Sequence, residues 1–435
     1  MSFNKNVFIP DIPIFLSGET MNATVLQLPF FTNLLILLVA ARILGELMAR
    51  FRQPAMLGEI LAGILLGPSV LGVMERTEEI KVISDLGIFL LVILAGLEID
   101  MEDILRSIKG RNLLTSLLAL AFPMTGGWMV GQLFGLDAPA SLLIGLCMAI
   151  TALPVGIRML QDMGRLNTPI GQRLISVAIF DDVLALSLLG IILSLQNTDM
   201  SVAAISRAGI VSLLKLLALL GILGGAYYLL RRIIQKGNYL EDYLNKLLLI
   251  LRGKEPLFAI FFAFILLFST LTEGLGLHFI VGTFFAALLI NETVVGPVHL
   301  KSIEKTTGNM AMGFLAPVFF AGIGLEFELR AISNLNLLAT VLLVSVCTKF
   351  AGGYLGGLLA GLSHRNSVVL GTGLNARGIM EIVVANTAYA GGLINTEVFS
   401  ILILMSGTAM IATPIVLKRA FAWNDAGAQT GTGGT

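Results

Sequence analysis

The sequence predicts an all-α membrane protein of thirteen transmembrane helices, built as two inverted six-helix repeats. Three observations carry this expectation: an apolar composition with little charge, an alternation of basic residues between successive loops, and echoes between the two halves at a fixed offset. Of the 435 residues, 56% are apolar and 13% are charged, against roughly 25% charged in an ordinary soluble domain. A mean hydropathy of +0.90 points the same way. Too little charge is present to cover a water-soluble fold of this size. Lys plus Arg and Asp plus Glu balance at 28 each, so no basic excess suggests a nucleic-acid partner. Cys147, Cys347 and the three histidines are scattered. No CxxC, HExxH or phosphate-loop pattern occurs, so neither a cofactor nor an enzyme class is indicated.

A spanning helix needs about 20 mostly apolar residues. Thirteen such stretches succeed one another over 30–48, 54–70, 82–97, 113–134, 139–160, 169–195, 204–230, 256–271, 278–291, 306–325, 335–361, 367–391 and 398–417. Segment 1–29 lacks a signal-peptide pattern, because its apolar run is short and broken by Pro10, Asp11 and Pro13. With this segment outside, and with Arg158, Arg173 and Arg207 near span ends counted with the adjoining loops, the inside holds 19 basic residues and the outside 5. The split obeys the positive-inside rule and puts the C-terminus in the cytoplasm. Arg42, Lys215, Lys349 and Arg377 fall within spans. The connection 231–255 mixes apolar and charged residues, as an amphipathic surface helix does. The tail, 420–435, is expected to be disordered.

The third and tenth spans read alike: ILAGLEID from Ile93 and FAGIGLEFEL from Phe320 align Leu97-Glu98 with Leu325-Glu326 at an offset of 228. LGEILAGILLG from Leu57 and VGTFFAALLIN from Val281 echo at a similar offset. The paired members are seven spans apart in order, and an odd offset inverts the second copy. Spans 1–6 and 8–13 are then the repeats, with span 7 as linker. Inverted repeats mark secondary transporters whose binding site lies near the midplane.

Several residues do not belong in lipid. Asp181 and Asp182 sit side by side in the middle of the sixth span, in SVAIFDDVLALSLLG. Each charge costs about 3 kcal/mol at the bilayer centre even on lenient scales, and two adjacent carboxylates repel. Successive helix residues point about 100° apart, so one aspartate can face a water-filled cavity while the other faces a partner helix. Lys349, deep in the eleventh span, is the available counter-charge for one of them. Gly353, Gly357 and Gly361 come after it as a packing seam. Two spans look interrupted. Pro154 in the fifth removes a backbone donor and frees a carbonyl near Thr151. The twelfth carries GTGLNARGIMEIVV, with Asn375, Arg377 and Gly378 in its interior. These interruptions correspond in the two repeats, and paired broken helices point to a transport site. Arg377 and Glu381, at i and i+4, suit an intrahelical pair of mainly structural value. Glu59, Glu46, Asp85 and Glu273 read as supporting or boundary residues, with Glu59 the hardest to place at an interface.

With these residues in view, the chain resembles the monovalent cation:proton antiporter-2 family. The matching stretches are LGEILAGILLGPS, LGIFLLVILAGLEID, AITALPV, FDDVLAL, PVFFAGIGLEFEL and LNARGIMEIVV. Phe180 and Leu153 depart from the expected pattern but leave the charged residues intact. The resemblance implies the sodium/proton antiporter fold, in which spans 5 and 12 cross at unwound middles. It implies a scaffold and dimer domain of spans 1–3 (30–110) and 8–10 (256–330). It implies a core of spans 4–6 (111–195) and 11–13 (331–419), joined through 196–255. It assigns Asp182 as the cation and proton carrier and Asp181 as the partner of Lys349. The expected cation site is Asp182 with Asp181 and a Thr151 oxygen, supported by Pro154, Asn375, Arg377, Glu381 and Glu59. The expected activity is exchange of Na+ or Li+ for protons in a plasma (inner) membrane by an elevator-like homodimer, with K+/H+ exchange as the alternative. A Na+-coupled organic solute symporter needs a larger polar pocket. A channel needs a filter sequence. An intramembrane aspartyl protease needs aspartates converging from two helices.

Overall fold

Apolar segments in lipid must satisfy their backbone hydrogen bonds internally, which helices do. The computed structural model describes residues 29–51, 53–99, 111–194, 255–275 and 277–430, with scattered positions between 211 and 232. Most of the N-terminal segment, most of the seventh span, the expected surface helix before 255 and residues 431–435 lie outside the described residues.

The first group of elements is α1 (Phe30–Arg50), α2 (Ala55–Leu66) and α3 (Glu78–Leu97). Thr77 caps α3 by accepting from Ile80 N, and Glu78 and Glu79 occupy its first turn, where anions suit the helix dipole. Next come α4 (Arg111–Leu133), α5 (Ala138–Ala149), α6 (Leu153–Asp162) and α7 (Pro169–Ser194). Asp137 caps α5 by accepting from Ala140 N at 2.9 Å. The second half contains α8 (Glu255–Gly274), α9 (Phe279–Leu288), α10 (Pro297–Met310) and α11 (Ala316–Glu326). It continues with α12 (Leu335–Leu359), α13 (His364–Gly373), α14 (Ile379–Ala390) and α15 (Thr396–Thr430). Asn334 caps α12 by accepting from Leu337 N. Among the described residues, eight stretches are long and apolar enough to cross a membrane, and α2, α5, α9 and α14 are shorter apolar helices. Phe31, Leu35, Val39 and Ile43 on α1, and Leu343, Val346 and Leu359 on α12, are exposed apolar side chains, as a lipid-facing surface requires.

Two differences from the sequence expectation stand out. The tenth span begins at Pro297 rather than 306, because a π-turn at Ala311–Leu315 carries α10 into α11 without a break. The tail expected to be disordered from 420 is instead helical to Thr430. Its turns are anchored: Arg165 pairs with Asp425, Arg365 lies 4.8 Å over the Trp423 ring, and Asn424 donates to Asn366 at 3.2 Å. The Gly- and Thr-rich composition that suggests disorder is concentrated beyond these anchors, after Asp425.

The elements pack in two sets. In one, α1 packs on α2, α11 on α2 and α3, and α9 on α3. In the other, α12 packs on α4 and α13, α4 on α5, and α13 on α15. The α2–α11 contact depends on glycines. A Cβ on Gly63 would lie 1.9 Å from the Ala321 carbonyl, and one on Gly324 would lie 2.1 Å from the Ile60 carbonyl. The two backbones touch, as small-residue seams allow. Gly324→Ala is therefore expected to separate the helices and lower the melting temperature in detergent, measured by a thermal-shift assay. An unchanged melting temperature would contradict the close packing.

Candidate functional site

The two interrupted spans meet at their breaks. The chain leaves α5 with an extended Ile150 and restarts at Leu153, with Pro154 in the first turn of α6, where a missing N–H costs nothing. On the other side, residues 374–378 separate α13 from α14. Ala152 N donates to the Ala376 carbonyl at 2.9 Å, joining the breaks. Gly378 is needed here by close approach: a Cβ would come within 2.6 Å of the Ala152 Cβ.

Next to this crossing, α7 presents Asp181 and Asp182, which are 0% and 2% exposed. Asp181 Oδ2 accepts from Lys349 Nζ at 2.6 Å. The fully buried ammonium also donates to the carbonyls of Ala119, at 3.3 Å, and Ala149. Its three donors thus have three acceptors. Thr151 Oγ1 lies 2.7 Å from Asp181 Oδ2 and 3.1 Å from the Leu374 carbonyl. A hydroxyl has one proton, so it serves these two acceptors by turns or shared. Asp181 is thereby bound by Lys349 and Thr151 together.

Asp182 points elsewhere. It lines a cavity of about 70 Å³ with Ala152, Leu153, Ile379 and Met380 at the breaks, and with Leu91, Leu94, Ala95 and Glu98 on α3. Its Oδ1 is buried and has no hydrogen-bond partner. Met312, in the π-turn, closes the cavity from α10–α11, and π-turns recur at functional positions. A second cavity of about 320 Å³ adjoins, sharing Met312 and Ile379 and containing Glu59 and Arg42.

The remaining expected residues separate by role. Arg377 donates to the carbonyls of Cys147, at 2.5 Å, and Ile150, at 3.2 Å. It caps the end of α5, where a cation offsets the helix dipole. It also pairs with Glu381 at 3.6 Å. This pair was expected within one helix, but Arg377 lies in the break and Glu381 in the first turn of α14. The break among Gly373, Asn375 and Gly378 makes the difference. The Asn375 amide donates to the Gly371 carbonyl at 2.9 Å, so it finishes α13. Glu59 is buried and pairs with Arg42 at 3.8 Å. Sequence reasoning used Glu98 only as part of an echo. Its place beside Asp182 depends on α3 meeting α7, which no local spacing reports.

The profile of the family described as sodium/hydrogen exchanger, transmembrane, matches residues 34–423. A probable Na+/H+ antiporter, GerT of Bacillus cereus, is 28% identical over 90% of this chain and 99% of its own. The Na+/H+-K+ antiporter GerN of the same organism is 26% identical over 92% and 98%. The structure of the sodium proton antiporter MjNhaP1 from Methanocaldococcus jannaschii superposes with a TM-score of 0.66 and 16% identity, over 90% of this chain and 96% of that one. The chain is thus an all-helical, multi-pass membrane protein with the sodium/proton antiporter fold, and it belongs to the transmembrane sodium/hydrogen exchanger family.

Proposed function

We propose that this protein is a secondary-active antiporter that exchanges Na+, and also Li+, for protons by competition at Asp182. The observation that carries the reading is the division of labour within the doublet. Asp181 is taken up by Lys349 and Thr151. Each aspartate leaves its Oδ1 without a hydrogen-bond partner, but Asp182 makes no ion pair among the described residues and lines a cavity. A single carboxylate holds a proton or a cation, and this exclusion couples the two flows. Either load neutralises Asp182 and lowers the cost of moving the site through lipid. In this proposal Thr151, which bonds the neighbouring Asp181, and carbonyls at the breaks supply further oxygens when the cation enters. Hard monovalent ions take such oxygen ligands, as other hard cations do.

The movement in this proposal is an elevator-like displacement of a core of α4–α7 and α12–α15 against a scaffold of α1–α3 and α8–α11, in a homodimer. The proposal also keeps thirteen spans in two inverted repeats, an outside N-terminus, a cytoplasmic C-terminus and residence in a plasma (inner) membrane. K+ is the alternative cargo, favoured by the name of GerN, a Na+/H+-K+ antiporter. A cavity of about 70 Å³ at Asp182 holds a few waters or a partly hydrated ion and gives an organic solute little room. The test is fluorescence dequenching in proteoliposomes under an imposed pH gradient, with Na+, K+ and Li+ added in turn. Dequenching by Na+ and Li+ supports the reading; dequenching by K+ alone moves it to K+/H+ exchange. No response to any of the three would overturn it.

A further inference from the structure

The wall of the Asp182 cavity is one face of α3, where Leu91, Leu94, Ala95 and Glu98 recur at helical spacing. Glu98 is the residue that ends this helix. A helix C-terminus carries about half a negative charge and ordinarily attracts cations. A carboxylate in that position works against the dipole and needs a compensating positive charge. Directly across the cavity, the buried Asp182 leaves Oδ1 without a hydrogen-bond partner. Two carboxylates and a negative helix end therefore border one small space whose other lining side chains are apolar.

The register of α3 is held firmly. A Cβ on Gly96 would lie 2.6 Å from the Ala287 Cβ and 2.7 Å from the Phe284 carbonyl, so α3 meets α9 backbone to backbone and cannot turn Glu98 away easily. The sequence echo supplies a contrast. Glu326, aligned with Glu98, ends α11 and is held by Arg76. Among the described residues, no lysine or arginine makes an ion pair with Glu98. Glu98 is exposed and lines the cavity, so its carboxylate sits at the rim rather than in the interior.

We propose that Glu98 is the entry carboxylate of the cation pathway: it concentrates the hydrated cation at the mouth of the cavity and hands it to Asp182. This inference rests on Asp182 being the carrier. Glu98 holds the ion transiently, so it governs apparent affinity on the face to which the cavity opens, and much less the rate of the loaded crossing. Fields focused by a low-dielectric cleft act on encounter in this way.

The experiment measures Na+-driven proton movement in right-side-out and inside-out vesicles, with Na+ presented to one face at a time. For Glu98→Gln, the Na+ concentration giving half-maximal rate is expected to rise about five-fold on one face only, with a smaller change in maximal rate. Glu98→Asp, which keeps the charge, is expected to restore most of the affinity, a rescue that a purely space-filling role does not predict. If the Gln variant fails to accumulate, Glu98→Ser gives the same readout. An unchanged half-maximal concentration on both faces, an equal rise on both, or a loss confined to maximal rate would overturn the proposal. Asp182→Asn in the same vesicles separates the two readings. Retained exchange there removes Asp182 as carrier, whereas abolished exchange with an unaltered Glu98→Gln removes only Glu98.

Discussion

Asp182→Asn is expected to reduce cation-driven proton movement in proteoliposomes to the level of empty liposomes, while the protein still folds. Asparagine matches aspartate in size and can still hydrogen-bond, but it neither ionises nor releases a proton at working pH. The buried Oδ1 that lacks a hydrogen-bond partner would become an amide group facing the same cavity of about 70 Å³. Removing a buried charge that has no ion-pair partner lifts a desolvation cost, so the melting temperature should hold or rise. Exchange at the wild-type rate in this variant would refute the role given to Asp182.

Lys349→Gln is expected to act first on stability and then on stoichiometry. The lysine is fully buried and bonds Asp181 at 2.6 Å. Removing one partner of a buried ion pair leaves the other uncompensated, at a cost of about 3–5 kcal/mol. The carbonyls of Ala119 and Ala149 lose their donor as well. The double variant Asp181→Asn with Lys349→Gln removes both charges and should recover much of the lost melting temperature. A double variant no more stable than Lys349→Gln would show that the pair is not the source of the loss. If Lys349 also releases a proton when the cation binds, two protons move per cation and exchange is electrogenic. The single variant should then lose its response to membrane potential while retaining exchange. Exchange that stays fully electrogenic would take Lys349 out of the proton pathway.

Much of this site could be read along the chain because lipid is a severe solvent. A carboxylate doublet or a lysine inside an apolar run is costly enough to announce itself, and Asp181, Asp182 and Lys349 did so without any contact information. Pro154 and the Gly-rich stretch from Gly371 to Gly378 announced the breaks for the same reason: each interrupts a backbone ladder that lipid cannot replace. Asn375 supports the break from its own side, its amide donating to the Gly371 carbonyl, a partner that local sequence does not single out. The helical tail through Asp425 was missed because its anchors, Arg165 and Arg365, lie far away in sequence.

The sequence by itself determined the membrane-spanning class, the position of the costly charges and the two places where helices give way. All of these stem from local composition measured against a solvent that tolerates neither charge nor unpaired backbone. Which aspartate the lysine takes was implied only by the family resemblance and was decided by the tertiary structure, since neighbours on a helix differ by a rotation that only packing defines. It also brought Ala152 to Ala376 and set Glu98 across the cavity from Asp182. Those contacts join residues far apart in the chain, and their geometry depends on how whole helices seat on glycines such as Gly63, Gly96 and Gly324.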